Sequence, residues 1–294
     1  MSSCSDAEGQ ETRLAGRPAT GLFAIGGVGG SGTRAAAMLV RNCGAWIGDD
    51  LNRALDNLAY TLLFTRGSVL TDPDARIAYL FSLLASRLQG HCLNPDILDD
   101  LRNLTNEERF GFPAKWLEKR LQLLGQPLDR PHGQIRCGWK EPNTHVIIDR
   151  LLQTSKELVY VHVVRDPFYL ADSTNQNQLR NWGPIFLDRP IVVSPGEAIA
   201  YWVAVHRRLR ALQETYPERI IFSSFERLNS DPVAEAARLT GFLGLQAPTE
   251  PARLFEGLCL QTGDYPAQQR PAPEGCSEQD EQFCRDFLAA LETP

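Results

Sequence analysis

Leu22-Phe23-Ala24-Ile25-Gly26-Gly27-Val28-Gly29-Gly30-Ser31-Gly32-Thr33-Arg34 is the stretch whose reading decides the fold. Its apolar start, Leu22 to Ile25, reads as a buried strand. Glycines follow at 26, 27, 29, 30 and 32, and the run from Ala35 to Val40 then favours a helix. A strand, a glycine-rich turn and a helix start make an anion cradle. Glycines let the backbone approach a phosphate, and the free N–H groups and dipole of the helix start attract its charge. The same spelling also suits a tight turn without a ligand, so the rest of the chain has to decide.

The spelling narrows the choice of anion. A nucleoside-triphosphate loop reads G-x-x-x-x-G-K-[ST]. Gly27 and Gly32 keep that spacing, but Thr33 stands where the lysine belongs and Arg34 where the magnesium-holding hydroxyl belongs. Magnesium-dependent kinase or NTPase chemistry is therefore poorly supported and is kept as an alternative. A non-catalytic nucleotide-binding protein of the same fold is another.

The chain has 294 residues and a net charge of −6, which argues against a general binder of nucleic acid or membrane surfaces. A polyanionic ligand would have to be held by local arginines and backbone amides. The seven cysteines are scattered, odd in number and without a C-x-x-C pair, so neither a zinc site nor a redox motif is indicated, and no metal is expected. Free thiols in a reducing compartment account for them. No apolar run reaches membrane-spanning length. Residues 1–18 read as a polar, disordered tail and 19–294 as a single domain, with a soluble, cytoplasmic setting as the expectation.

Downstream of the first helix a helical stretch is predicted from Ala54 to Phe64, on which Asp56 and Tyr60 share a face. Asp49 or Asp50 would serve as its N-cap. Together with Asp56 these carboxylates lie just beyond the glycine loop in sequence, which also makes them candidates for a general base. Helical apolar spacing over 74–88, 93–104 and 115–124 predicts a helical insertion at about 66–130. In α/β enzymes such insertions shape acceptor pockets, an expectation from fold alone.

Ile135 to Lys140 reads as a short strand running into Lys140-Glu141-Pro142. Lys140 sits where α/β sheets place ligand groups, though a surface lysine would look the same. His145 could cap or pack at the next helix. Leu158 to Val164 is a continuous β-branched run, the mark of a central strand buried on both faces, with His162 as a core histidine. The strand runs into Arg165-Asp166-Pro167. Asp as N-cap and Pro at the first helical position explain two of these residues. They leave Arg165 as a guanidinium at the opening edge of the sheet, placed to bind an anion. Ser173, about two turns into the predicted helix, could add a hydroxyl. Ser194-Pro195-Gly196-Glu197 is a capping box for a long helix. A strand then leads to Phe225, and Asp231-Pro232 starts another helix ending near Gly244.

The G-S-G-T segment at Gly30 to Thr33, the K-E-P element at Lys140 and the R-D-P-x5-S spacing from Arg165 to Ser173 resemble, in order and spacing, the sulfotransferases that use 3′-phosphoadenosine-5′-phosphosulfate (PAPS). The resemblance runs from about Leu22 to Leu245. It implies an α/β fold with a central parallel sheet flanked by helices. It also implies a loop of Gly29, Gly30, Ser31, Gly32, Thr33 and Arg34 that holds the 5′-phosphosulfate, with Arg165 and Ser173 on the 3′-phosphate and Phe225 near the adenine. Lys140 would offset charge on the bridging oxygen and the sulfuryl group. The general base would be Asp50, with Asp49 and Asp56 behind it and His145 as an outsider. The reaction implied is in-line sulfuryl transfer to a hydroxyl or amine of a small-molecule or glycan acceptor, with adenosine 3′,5′-bisphosphate as product. Two departures stand out. Gly30 replaces the Lys or Arg that often precedes S-G-T, and the R-K-G loop is missing, with Gln261-Thr262-Gly263 and then Arg270 in that region. The amides of Asn175 to Gln178 read either as acceptor contacts or as a solvated helix face.

Overall fold

The computed structural model describes residues 21–107, 109, 111–128, 130–131, 136–248, 251–257 and 270–292. The tail and the Gln261-Thr262-Gly263 segment lie outside them. The four named strands are β1 (Phe23–Gly27), β2 (Gly138–Lys140), β3 (Val159–Val164) and β4 (Ile220–Ser224). They form one sheet in the order β2-β1-β3-β4. Every pairing is parallel, with Phe23 opposite both Gly138 and Val159, and Tyr160 opposite Ile220.

Parallel strands need helical crossovers, which cover both faces, and this explains why β1 and β3 are buried at every position. Alternate residues feed two cores. Phe23, Ile25, Val159, Val161 and Val163 pack with α1 (Thr33–Asn42) on one face. Ala24, Tyr160 and Trp139 face the opposite layer, which includes α2 (Leu58–Phe64), α3 (Asp74–Leu88), α4 (Pro95–Leu101) and α5 (Ala114–Leu124). Phe23 and Ile25 are completely buried, each worth about 1.5–3 kcal/mol of apolar transfer.

α6 (Ile148–Thr154) precedes β3, and α7 (Pro167–Ala171) and α8 (Asn177–Phe186) follow it. α9 (Pro195–Thr215) then crosses to β4, followed by α10 (Phe225–Ser230), α11 (Pro232–Leu243) and, near the C-terminus, α12 (Glu278–Glu292). The predicted caps form. Asp166 accepts from Phe168 N–H at 2.8 Å, Ser194 from Glu197 N–H at 3.3 Å and Asp231 from Ala234 N–H at 3.1 Å. Gly244 closes α11 in the left-handed region.

Two local expectations are corrected. The stretch from 54 is not helical before Leu58. Asn52 Oδ1 takes the amides of Ala54 and Asp56, Leu55 turns to a φ of 65°, and Asn57 caps α2 by accepting from Tyr60 N–H. Asp49 and Asp50 are therefore not its N-cap, and Asp56 shares no helical face with Tyr60. Likewise α7 stops at Ala171, so Ser173 lies in the loop beyond a one-turn helix.

His162 is a core histidine, fully buried, with Nδ1 at 2.8 Å from the Tyr160 hydroxyl. Beside it burial pushes His145 down to about 4 and His206 down to about 3, so these rings are neutral at pH 7. Among the described residues no helix is long and apolar enough to cross a membrane.

Candidate active site

The carboxyl ends of β1 and β2 open on one side of the sheet into a cleft of ≈ 570 Å³, the place where ligands bind in open α/β sheets. The turn from β1 into α1 forms one wall. Gly30 and Gly32 hold φ of 88° and 87°, a region that side chains disfavour. A Cβ at Gly32 would also sit 2.1 Å from a ring carbon of Phe225. Gly32 caps α1 without a side-chain hydrogen bond, so the positive end of the helix is left for a ligand. The Ser31 hydroxyl is buried and has no hydrogen-bond partner among the described residues. A buried unpaired hydroxyl beside an uncapped helix start fits an anion.

Other residues that the sequence singled out gather around this turn. Arg165 donates to the Gly30 carbonyl at 3.2 Å, and its guanidinium lies 4.7 Å from the centroid of Phe225 and 5.8 Å from that of Tyr169. Arg270 stacks on the same Tyr169 ring at 3.8 Å and pairs with Asp172 at 3.3 Å. Two guanidinium groups thus share one aromatic ring, which brings Arg270 into the neighbourhood of Arg165. The Ser173 hydroxyl accepts from Asn175 N–H at 3.2 Å and keeps its own proton to donate. Arg34 and Thr33 line the cleft.

Facing the loop, the buried Lys140 ion-pairs with Asp56 and donates to the Ala54 carbonyl at 3.1 Å. The other Asp56 oxygen accepts from Asn52 Nδ2 at 2.8 Å. The Asn52–Asp56 turn therefore aims a carboxylate at the cleft, and both Lys140 and Asp56 line it.

The remaining candidates sit elsewhere. Asp50 pairs with Arg120 at 2.5 Å, and burial pushes its carboxyl up. Asp49 pairs with Arg87 at 2.6 Å. Both carboxylates tie helices α3 and α5 to the segment between α1 and α2 and stand outside the residues that line the cleft. His145 is fully buried, held between the Pro142 carbonyl at 2.8 Å and the Tyr201 hydroxyl at 2.9 Å, also outside the lining.

Two residues hold places that the sequence reading did not give them. Gln178, on α8, is nearly buried rather than part of a solvated face. Its Oε1 accepts from Gly29 N–H at 2.7 Å and its Nε2 donates to the Gly27 carbonyl at 3.3 Å, so it clamps the glycine turn from across the cleft. Glu141 lines the cleft, is buried, and accepts from Asn143 N–H and Nδ2 at 2.6 and 2.8 Å. Burial and the nearby Asp56 charge push its carboxyl up to about 8. Asn143 in turn accepts from Trp182 Nε1 at 2.9 Å. α8 thereby grips both lips of the cleft. A glutamine among amides carries no sequence signal for this role; Glu141 could have been noticed as an acid between lysine and proline at a strand end.

Residues 73–249 match the model of the sulfotransferase family. The chain belongs to that family. The match includes Lys140-Glu141-Pro142 and Arg165 to Ser173, and begins after the glycine loop. No curated protein matches the sequence. Among solved structures, sulfotransferase STF9 from Mycobacterium avium is similar at 16% identity with a TM-score of 0.50, over 98% of this chain and 81% of that one. The sulfotransferase domain of the Synechococcus PCC 7002 olefin synthase is 18% identical with a TM-score of 0.45, over 93% and 95%. A retinol dehydratase in complex with androsterone and the inactive cofactor PAP is 17% identical with a TM-score of 0.40, over 96% and 85%. Its own sheet and the likeness to the Mycobacterium avium structure give this sulfotransferase the α/β fold, with a central parallel sheet flanked by helices.

Proposed function

We propose that this sulfotransferase moves a sulfuryl group from PAPS to a hydroxyl of a neutral, polyhydroxylated small molecule or glycan, with Asp56 as general base. The observation that carries the reading is the Lys140–Asp56 pair lining the same cleft as an uncapped, anion-ready glycine turn. When bound, PAPS supplies a sulfuryl group activated on its 5′-phosphate. The amides of the loop and helix start, with the Ser31 and Thr33 hydroxyls, hold that phosphate. Arg165, Ser173 and Arg270 select the 3′-phosphate, and Phe225 packs beside the base. Asp56 takes the proton of the acceptor hydroxyl as its oxygen bonds to sulfur, and the bond from sulfur to the phosphate oxygen breaks. Lys140, beside Asp56, offsets the charge that grows on the departing oxygen. It also supplies the cation that the family often carries at the position of Gly30. No magnesium is needed, because a sulfuryl group carries less charge than a phosphoryl group. The acceptor class follows from the carboxamides of Asn175, Asn177 and Asn181 along the cleft, neutral donors and acceptors that suit hydroxyl groups.

The test is calorimetric titration of adenosine 3′,5′-bisphosphate and of ATP, with and without magnesium, followed by transfer assays on Asp56→Asn and Asp50→Asn. Metal-independent preference for the bisphosphate, with transfer lost by at least about 100-fold in Asp56→Asn and retained in Asp50→Asn, is the expected outcome. Tighter ATP binding that requires magnesium would refute the donor. The reverse order of the two variants would move the base to Asp50.

A further inference from the structure

At the outer edge of the sheet a second concavity, of ≈ 510 Å³, lies between α9, β4, α11 and α12. It shares no lining residue with the donor cleft. Its floor is apolar, from Ile221, Phe222 and Phe287, and its rim carries Arg210, Arg227 and Arg238.

The charges around it do not balance. Glu235 is completely buried beneath the rim and accepts from the Ser223 hydroxyl at 2.8 Å. It pairs with Arg238 at 2.7 Å and with Arg227 at 3.6 Å. One carboxylate therefore serves two guanidinium groups. Arg227 and Arg238 spend further N–H groups on the Leu291 and Phe222 carbonyls, at 3.1 and 2.5 Å, which fixes their orientation. Arg210 is exposed and has no hydrogen bond or ion pair among the described residues. Among the described residues two positive charges are left over at one concavity, in a chain whose net charge is −6.

We propose that this concavity binds a free amphipathic anion: a single phosphate, sulfate or carboxylate head on an apolar chain or ring. The head sits among Arg210, Arg227 and Arg238, whose planar N–H forks suit such oxyanions. The tail lies on Phe222, Ile221 and Phe287. The volume is in the range of sites that enclose one small molecule. The site is independent of the sulfuryl-transfer reading.

The test is calorimetric titration of the full chain with n-octyl phosphate below its micelle concentration, alongside inorganic phosphate, 1-octanol and phosphatidylglycerol vesicles. One saturable site for octyl phosphate is expected, with phosphate alone and octanol each at least about tenfold weaker. Arg210→Ala should weaken octyl phosphate by about tenfold without moving the thermal midpoint, because Arg210 holds nothing in the fold. Ala234→Glu should weaken it similarly. That exposed position lines the mouth three residues after the Asp231 cap, where glutamate favours the helix. Arg165→Ala, at the other cleft, should leave octyl phosphate binding as it is. Binding that survives Arg210→Ala and Ala234→Glu, that is lost in Arg165→Ala, that octanol reproduces, or that appears only with vesicles would each overturn the proposal.

Discussion

Replacing Gln178 with alanine tests whether the glycine turn is held for its ligand from the far side of the cleft. The substitution removes two hydrogen bonds, Gly29 N–H to Oε1 at 2.7 Å and Nε2 to the Gly27 carbonyl at 3.3 Å. Each neutral bond contributes about 1 kcal/mol net, so about 2 kcal/mol of local order is lost. If that order is what presents the turn to a phosphate, affinity for adenosine 3′,5′-bisphosphate falls by about 30-fold. Gln178→Glu gives a second reading. It keeps an acceptor for Gly29 N–H but loses the donor to Gly27 and brings a negative charge to the cleft, so it should bind more weakly still. The assay is calorimetric titration of the bisphosphate, with thermal unfolding measured in parallel to separate loop order from global stability. Unchanged affinity would mean that the turn holds its shape unaided. A gain in affinity would refute the reasoning outright, because the glutamine would then be competing with phosphate for the Gly29 amide.

Gly32→Ala puts a Cβ 2.1 Å from the Phe225 ring at a φ of 87°; a stability loss of about 1–3 kcal/mol in urea titration is expected, with weaker bisphosphate binding. Gly44→Ala is the control, since Gly44 has a φ of 81° and open space at its Cβ; it should show the backbone cost and leave the ligand alone. Glu141 gives a pH signature. Its carboxyl is held at about 8 in the native state, against about 4.3 in an unfolded chain. Between these values the native state keeps a proton that the unfolded state has lost, so this group makes stability fall as pH rises. Glu141→Gln should therefore gain on the natural chain between pH 5 and pH 8.5 in denaturant titrations; a constant difference would show that Glu141 does not titrate there.

The sheet and the glycine turn were legible because their signals are local. A β-branched run such as Val159 to Val164 has few other fates, and glycines at 30 and 32 mark a turn that only they adopt easily. The caps at Asp166, Ser194 and Asp231 were readable for the same reason, since a cap and its amide lie within a few residues. The carboxylates were harder. Asp49, Asp50 and Asp56 are near neighbours in sequence, and what separates them is partners far away: Arg87, Arg120 and Lys140. The tight turn built by Asn52 also overrode the helical appearance of 54–57. The hold of Gln178 on the glycine turn was not foreseen because its partners lie about 150 residues upstream.

The strand order has a consequence for how the chain is made. β1 is central, yet its neighbours β2 and β3 come far later, with Phe23 beside Gly138 and Val159. During synthesis at about 5–20 residues per second, this apolar segment emerges on the order of ten seconds before its partners. Closing so long a loop slows the pairing further. Arg165 and Phe225, which contact the glycine turn at the end of β1, follow β3 and β4 in the chain, so the turn gains these contacts only after both strands have been made. The first wall of the cleft to be translated is thus among the last to be completed, and until then Leu22 to Ile25 is a sticky segment in need of cover.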